Sequence, residues 1–208
     1  MSRWVSVSPE RLAGWLDRFA AGHGPVVSTV DSAAVTVTAA DGTVAELMVP
    51  FPPLRGDDVV AHALTDRRVG VLLVRLGGYA AGVFDGPRLV ASKVGSRQVH
   101  GRSAAGGQSQ QRFARRREGQ ARVALAAAAD TAATVLLPQV STLDAVVLGG
   151  DRRAADDVLA DPRLAPLRPL VVEARLDVPD PRLKVLQSTP DLFRAVRIRI
   201  TDQPSQVG

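Results

Sequence analysis

Short runs rich in valine and threonine, separated by polar or glycine-containing turns, occupy the first half of the chain. Runs of this kind are typical of β-strands that pair with their neighbours in sequence. The Asp41-Gly42 pair between two of them is a strong hairpin signal. The pattern predicts a meander of three antiparallel strands at 26–30, 34–38 and 44–49, and three further strands at 69–76, 79–84 and 88–94.

Helical spacing marks the N-terminal region and the second half of the chain. Ser8 and Pro9 make a typical helix start, with serine as the cap and proline in the first turn. The apolar residues that follow recur at i, i+3, i+4 and i+7: Leu12, Trp15, Leu16 and Phe19. Further helices are predicted at about 57–64, 109–137 and 151–159 and from 181, with strands at 145–148, 170–173 and 195–201.

This order of elements, strands first and then alternating helices and strands, indicates an α/β fold with a mixed sheet. Residues 96–110 are polar, rich in glycine and without periodicity, so they predict a protruding loop in front of the long helix. No internal repeat or long linker divides the chain. We therefore expect residues 1–208 to form a single domain, with a frayed tail at about 203–208.

Composition excludes several classes of site and partner. Hydrophobic residues make up 46% of the 208 residues, which is enough for a core. Because the chain has no cysteine, disulfide-linked partners, thiolate zinc sites, iron–sulfur clusters and cysteine nucleophiles are excluded. The longest apolar stretch, 131–143, is short and contains Pro138, so no membrane span is expected. The N-terminus has no apolar signal-peptide core, which predicts a cytoplasmic protein.

Positive charge is concentrated in one segment. Residues 93–122 hold eight basic residues and the single acid Glu118, a net charge of +7, whereas the whole chain carries +5. A local excess of this size favours a polyanionic partner, and nucleic acid is the expected one. A solvated arginine-rich helix face would give the same composition.

Standard catalytic signatures are absent from the sequence, which contains no phosphate-binding loop, zinc-protease helix or serine nucleophile elbow. The three histidines, His23, His62 and His100, are far apart, and none has a partner at ligand spacing. Asp57 and Asp58 precede a predicted helix, so they are expected to cap it rather than to act as a catalytic pair. No metal or cofactor is therefore predicted.

The candidate chemistry lies in the loop. Gly106-Gly107 permits backbone angles and close approaches that other residues do not. Gln108 offers a neutral donor and acceptor directly before a predicted helix, where backbone amides can face a ligand. Arg112, Arg115 and Arg116 recur at i, i+3 and i+4 and form one face that suits phosphates.

This segment resembles the catalytic loop of eukaryotic and archaeal class one peptide-chain release factors. The resemblance is carried by His100-Gly101-Arg102, Gly106-Gly107-Gln108-Ser109 and Arg112-Phe113-Ala114-Arg115. In those factors the His-Gly-Arg adjoins the Gly-Gly-Gln, whereas here Ser103-Ala104-Ala105 is inserted. The layout of strands, loop, long helix and the segment 146–151 is similar to their central domain.

We expect 208 residues to leave no room for the codon-reading and GTPase-binding domains of those factors. The chain therefore looks more like the Vms-like release factors, the peptidyl-tRNA hydrolases of ribosome quality control. Its composition, rich in arginine and alanine, suggests their actinobacterial branch.

The resemblance implies hydrolysis of the ester that joins a nascent peptide to tRNA, on a stalled ribosome or free large subunit and independently of the codon. Gly106, Gly107 and Gln108 would be the catalytic residues, with the Gln108 amide stabilising the developing oxyanion or departing ribose oxygen. Peptidyl-tRNA and large-subunit rRNA would be the partners. The other site residues would contact RNA: Arg97, His100, Arg102, Ser109, Arg112, Arg115, Arg116, Arg117 and Arg122.

Two other functions stay open at this point. A ribosome- or RNA-binding module without catalytic activity would use the same arginines and a loop that only touches RNA. The second is a nuclease acting near the tRNA 3′ end, although no cluster of carboxylates or histidines in the sequence favours a metal-dependent one. The products separate the three functions: free peptide with intact tRNA, cleaved tRNA, or neither.

Overall fold

The computed structural model describes residues 2–75, 77–97 and 109–202, with the backbone alone described at 109–117. The chain divides into two compact units. We call residues 1–65 together with 190–208 the antiparallel-sheet unit, and residues 66–189 the mixed-sheet unit, after the five-stranded sheet that each contains.

Most of the helices and strands follow the predicted order along the chain. They are β1 (Ser2–Val7), α1 (Pro9–His23), β2 (Val26–Val30), β3 (Ala34–Ala39), β4 (Val44–Met48), α2 (Val59–Leu64), β5 (Arg68–Arg75), β6 (Gly78–Asp85), β7 (Arg88–Ser96), α3 (Ser109–Leu136), β8 (Ala145–Gly150), α4 (Arg152–Leu159), β9 (Val171–Leu176), α5 (Leu183–Gln187), α6 (Pro190–Phe193) and β10 (Val196–Thr201). Short 3-10 helices occupy Leu137–Thr142 and Pro162–Leu170.

In the antiparallel-sheet unit the strand order is β1-β10-β4-β3-β2, and only one face of the sheet is buried. Strand β10 shows the alternation that a half-buried strand requires, because Val196, Ile198 and Ile200 are buried while the residues between them are exposed. Leu12 and Phe19 of α1 belong to the same core cluster. The helical stripe predicted from the sequence therefore packs on the sheet.

In the mixed-sheet unit the strand order is β7-β6-β5-β8-β9. Strand β5 runs parallel to β8, and β8 runs parallel to β9, while β6 is antiparallel to both β5 and β7. Strands β5, β7, β8 and β9 therefore all point the same way. The carboxyl ends of these four strands lie at the same end of the sheet. We call it the loop end because the chain leaves β7 there toward the predicted loop.

The central strands β5, β6 and β8 of this mixed sheet are covered on both faces, whereas no residue of the edge strand β7 is buried. On one face Ala128, Ala132 and Leu136 of α3 are buried in the core, and their small or flexible side chains let the helix pack close to the strands. On β6 a β-carbon added to Gly82 would lie 3.0 Å from the side chain of Leu186 on α5, so this glycine admits the second helix. Strands covered on both faces lose the alternating pattern and become apolar throughout.

The predicted mixed α/β class is confirmed, and the predicted helices and strands lie close to their expected bounds. The structure differs from the expectation in having two sheets, because the meander at 26–49 joins β1 and β10 rather than β5. Strand β1, which was not predicted from the sequence, pairs with β10 near the other end of the chain. That residues 1–208 form a single domain stays a prediction.

One described stretch, Glu118–Thr142, is long and apolar enough to cross a membrane by length and composition alone. A core helix of a soluble protein passes the same test, and Ala128, Ala132 and Leu136 in this stretch are buried in the core of the mixed-sheet unit. The stretch is therefore weak evidence for a membrane span.

Candidate active site

Strand β7 carries the chain to the loop end and holds it there up to Arg97. Ser96 pairs with Gly78, and the backbone amide of Arg97 donates a hydrogen bond of 2.6 Å to the carbonyl oxygen of Gly77. Gly77 lies in the turn between β5 and β6 and has a φ of +83°, a conformation that favours glycine. The chain therefore enters the predicted loop from an anchored residue.

A second contact near the loop explains a glycine in β7. Gly95 lies directly across from Tyr79 on β6, and a β-carbon at residue 95 would overlap the tyrosine ring and lie 2.7 Å from its hydroxyl oxygen. Tyr79 is only 6% exposed and belongs to the core of the mixed-sheet unit. The glycine thus lets an aromatic ring cover the strand two residues before the loop.

Helix α3 anchors the other end of the loop. It begins at Ser109, directly after Gln108, and its backbone continues as one helix to Leu136. From Ala124 onward its inward residues are buried against the sheet. The predicted catalytic loop therefore joins β7, which is held by its pairing with β6, to α3, which belongs to the packed core of the mixed-sheet unit.

Most of the predicted site residues fall on the loop or the first turns of α3. Gly106, Gly107, Gln108, His100 and Arg102 lie outside the described residues. The backbone of α3 includes Ser109, Arg112, Arg115, Arg116 and Arg117, whose side chains also lie outside the description. Arg97 and Arg122 are described, and both are exposed. The structure thus places the flanks of the candidate site and leaves the roles of its residues as predictions.

A pocket of about 240 Å³ opens at the loop end of the mixed sheet. It is bounded by the ends of β5 and β6, by α3 and by α4. Its lining is mainly apolar and contains Val74, Arg75, Gly77, Gly78, Tyr79, Ala121, Ala124, Leu125, Asp151, Arg153, Ala154 and Asp157. The two arginines and two aspartates balance, so the pocket offers no excess positive charge to a phosphate.

Two of the charged residues in this pocket also hold the fold together. An Nη1 hydrogen of Arg75 is donated to the carbonyl oxygen of Val178 at 2.6 Å. The carboxylate of Asp151 caps α4 by accepting a hydrogen bond of 2.9 Å from the amide of Ala154. None of these pocket residues is recognisable as a site residue from the sequence, because they come from separate segments and share no local motif.

A second position that requires glycine lies at the end of β8. Gly150 has a φ of +87°, and a β-carbon there would overlap the carbonyl oxygen of Val74. That same oxygen accepts a hydrogen bond of 2.7 Å from the amide of Asp151. Glycine is therefore required where β8 turns into α4 beside the end of β5.

The carboxylates with a shifted pKa are not among the predicted site residues. A side-chain hydrogen bond from Arg163, followed by a backbone hydrogen bond from the same residue, lowers the pKa of Asp161 to about 2. A hydrogen bond from the Ser32 hydroxyl lowers the pKa of Asp31, and the backbone amide of Thr43 lowers that of Asp41. These carboxylates stabilise turns. Among the described residues no group of three or more His, Cys, Asp or Glu side chains is placed to hold a metal ion.

The solved structures that are similar to this chain include two of low sequence identity. The archaeal translation termination factor aRF1 is 15% identical, with a TM-score of 0.47, over 88% of this chain and 55% of that one. A second structure, that of another archaeal protein, is 16% identical, with a TM-score of 0.38, over 76% of this chain and 50% of that one. The chain thus spans about half the length of these proteins.

Comparison with curated proteins finds no match. The family model described as the Actinobacteria/chloroflexi VLRF1 release factor matches residues 67–199, a span that includes β5 to β9, the predicted loop and α3. This match confirms the release-factor resemblance found in the sequence. The chain therefore belongs to the family of Actinobacteria/chloroflexi VLRF1 release factors.

Proposed function

We propose that this member of the release-factor family hydrolyses the ester bond of peptidyl-tRNA on stalled ribosomes or free large subunits. The observation that carries the proposal is the position of Gly106-Gly107-Gln108 within the matched residues 67–199, between β7 and α3. Strand β7 is hydrogen-bonded to β6 and packs Ala91 against the core to which α3 belongs, so the protein can present the loop from a stable base. A site held by rigid elements places its reacting groups more accurately than a site without such support.

In the proposed reaction Gly106 and Gly107 let the loop enter the peptidyl-transferase centre. The backbone amide of Gln108 stabilises the developing oxyanion or the departing ribose oxygen. One such donor contributes about 3–4 kcal/mol, or about 10²–10³ in rate. The Gln108 side chain shapes a space that admits water and excludes larger nucleophiles, while rRNA and tRNA position the ester. The proposal uses no metal or cofactor.

The basic residues around the loop bind RNA in this proposal. The exposure of Arg97 and Arg122 supports this role, because neither side chain is buried in the core and both are free to contact phosphates. The same role is proposed for His100, Arg102, Ser109, Arg112, Arg115, Arg116 and Arg117. The partners are then peptidyl-tRNA and the rRNA of the large subunit, met in the cytoplasm, with no membrane or disulfide-linked partner.

Peptide release tests the proposal. Stalled ribosome–nascent-chain complexes and isolated large subunits carrying peptidyl-tRNA are mixed with the protein, and peptide and tRNA are measured separately. We expect free peptide and intact tRNA, with most release lost in Gln108→Ala because the side chain that shapes the space for water is removed while the backbone amide remains. Gln111→Ala is the matched control, because it removes the same amide side chain three residues further on and should retain wild-type release.

The other products separate the alternatives. Shortened tRNA would favour a nuclease, and ribosome binding without any product would favour a module that only binds RNA. Full release by both Gln108→Ala and Gly107→Ala would exclude the proposed loop as the catalytic site.

Codon independence is part of the proposal, because every residue it uses acts at the 3′ end of tRNA rather than at the codon. Release is expected at equal rates from complexes paused at sense codons and at stop codons, and also from large subunits without any codon. A strict requirement for a stop codon would contradict ribosome rescue and would call for a partner that reads the codon.

A further inference from the structure

Strand β2 is an exposed edge of the antiparallel sheet. It pairs with β3 on one side, and in the part of the chain that the structure describes no strand pairs with its other side. Every residue of β2 is exposed, and Val27 retains 73% of its accessible surface. An edge of this kind presents unpaired backbone donors and acceptors to another strand.

The absence of charge distinguishes β2 from the other edge strands of the described structure, which are β1, β7 and β9. Strand β1 carries Arg3, β7 carries Arg88 and Lys93, and β9 carries Glu173 and Arg175. Strand β2, of sequence Val-Val-Ser-Thr-Val, has neither a charged residue nor a proline. Charges and prolines commonly keep an edge strand from pairing with a second chain, and β2 lacks both.

The residues that flank β2 show which of its backbone groups face outward. The amide of Asp31 donates a hydrogen bond of 2.8 Å to the carbonyl oxygen of Ala34 at the start of β3. The carbonyl oxygen of Pro25 accepts a hydrogen bond of 2.9 Å from the amide of Ala40, directly after β3. In an antiparallel ladder, residues bonded to one neighbour alternate with residues that face away from it. The amides and carbonyls of Val26, Ser28 and Val30 therefore point to the open side.

The outward backbone groups of one β2 strand can form hydrogen bonds with the same groups of a second β2 strand. When two copies of β2 align antiparallel about Ser28, each Ser28 lies opposite the other, and Val26 lies opposite Val30 of the second copy. Every outward amide then meets an outward carbonyl. Val27 comes to lie opposite Thr29, and pairs of β-branched residues across strands are stabilising.

The side chains of β2 offer a second reason for pairing. Val26, Ser28 and Val30 line a groove of about 440 Å³, whose other side contains Leu16 of α1, Val59 of α2 and the carboxylates of Asp57 and Asp58. A second copy would bring its own Val26 and Val30 beside this groove. Apolar surface of both copies would then leave water together, which favours association.

We propose that β2 pairs with β2 of a second copy, antiparallel about Ser28, so that the protein is a symmetric dimer with one continuous sheet across both copies. The proposal concerns the antiparallel-sheet unit and does not depend on the proposed function. A chain that pairs with itself about a two-fold axis closes the assembly at two copies, so no open filament results.

Sedimentation equilibrium of the whole chain tests the dimer. Ser28→Lys places two like charges opposite each other, and Ser28→Pro removes the central outward amide while leaving the hydrogen bonds to β3 intact. Each change is expected to raise the dissociation constant of the dimer by about tenfold or more. Thr38→Lys is the matched control, because residue 38 is exposed on the interior strand β3 and should leave the dimer unchanged.

A charge swap completes the experiment. Ser28→Lys and Ser28→Glu are each expected to dimerise more weakly than the wild type when alone and to form a tighter mixed dimer when combined, since the opposite charges then meet at the two-fold axis. Circular dichroism of each variant verifies that the monomer is folded. A wild-type protein that is monomeric at high concentration overturns the proposal, and leaves an extended peptide of another protein as the occupant of this edge. Ser28 variants that dimerise like the wild type also overturn it.

Discussion

The two units of the protein bury their strands in different ways. In the antiparallel-sheet unit β10 alternates between buried and exposed residues, whereas in the mixed-sheet unit β5 has six consecutive buried residues between its end residues. A sheet with one solvated face needs apolar side chains only at every second position. A sheet covered on both faces needs them throughout. The comparison shows that the periodicity of a strand reports how many of its faces are covered.

Charge separates the units as well. The antiparallel-sheet unit has seven basic and nine acidic residues, a net charge of −2, while the mixed-sheet unit has nineteen basic and twelve acidic residues, a net charge of +7. Outside 93–122 the mixed-sheet unit holds eleven residues of each sign. The positive charge therefore belongs to one segment around the loop, and the fold beneath it is neutral.

The largest expected effect on stability comes from a glycine substitution in the mixed-sheet unit, and a glycine substitution in the antiparallel-sheet unit is its control. Gly150→Ala forces a β-carbon against the Val74 carbonyl in a backbone conformation that favours glycine, so we expect a loss of more than about 4 kcal/mol of unfolding free energy. Gly22→Ala in α1 meets nothing within 4 Å and should be stabilising by about 0.5–1 kcal/mol. Urea denaturation measures both.

Hydrogen exchange on the Gly150→Ala protein sharpens the comparison further. If residues 1–208 form a single cooperative domain, protection should fall together in β5 and in β10. Loss of protection in β5 with full protection in β10 would contradict the single-domain prediction, and a neutral Gly150→Ala would contradict the close packing of β8 against β5.

An intermediate effect is expected at the two ends of β7. Arg97 lies at the loop end, whereas Arg88 lies at the opposite end, where it forms an ion pair of 3.3 Å with Asp85. If only the loop end contacts RNA, Arg97→Gln should weaken binding to large subunits and reduce the slope of log affinity against log salt by about 0.7–0.9. Arg88→Gln should leave the slope unchanged. Equal slopes in both variants would mean that Arg97 contacts no phosphate.

The smallest effect concerns an exposed carboxylate in the mixed-sheet unit. Hydrogen bonds from Arg163 lower the pKa of Asp161 from 3.8 to about 2. A lowered folded-state pKa means that this group stabilises the fold above pH 4, and that its contribution is lost as the pH falls through about 2. The urea midpoint of Asp161→Asn should therefore decline less than that of the wild type between pH 4 and pH 2. Parallel declines would contradict the Asp161–Arg163 pairing.

The candidate site was accessible from sequence only in part. Gly106, Gly107 and Gln108 form a contiguous motif, so they are recognisable without a structure. The pairing of Tyr79 with Gly95 is not, because the two residues lie on different strands and meet only through the register of β6 and β7. The pocket at the loop end is likewise made by segments that no local pattern connects.

The sequence by itself determined the α/β class, most helices and strands, the basic segment and the loop motif. Each of these depends on residues close together in the chain, through turn preferences, helical spacing and local charge. Tertiary structure alone decided that the strands form two sheets, that β10 lies between β1 and β4, and that β2 is left as an uncharged edge. The physical reason is that a strand shows which of its faces are apolar but not which distant strand will complete its hydrogen bonds.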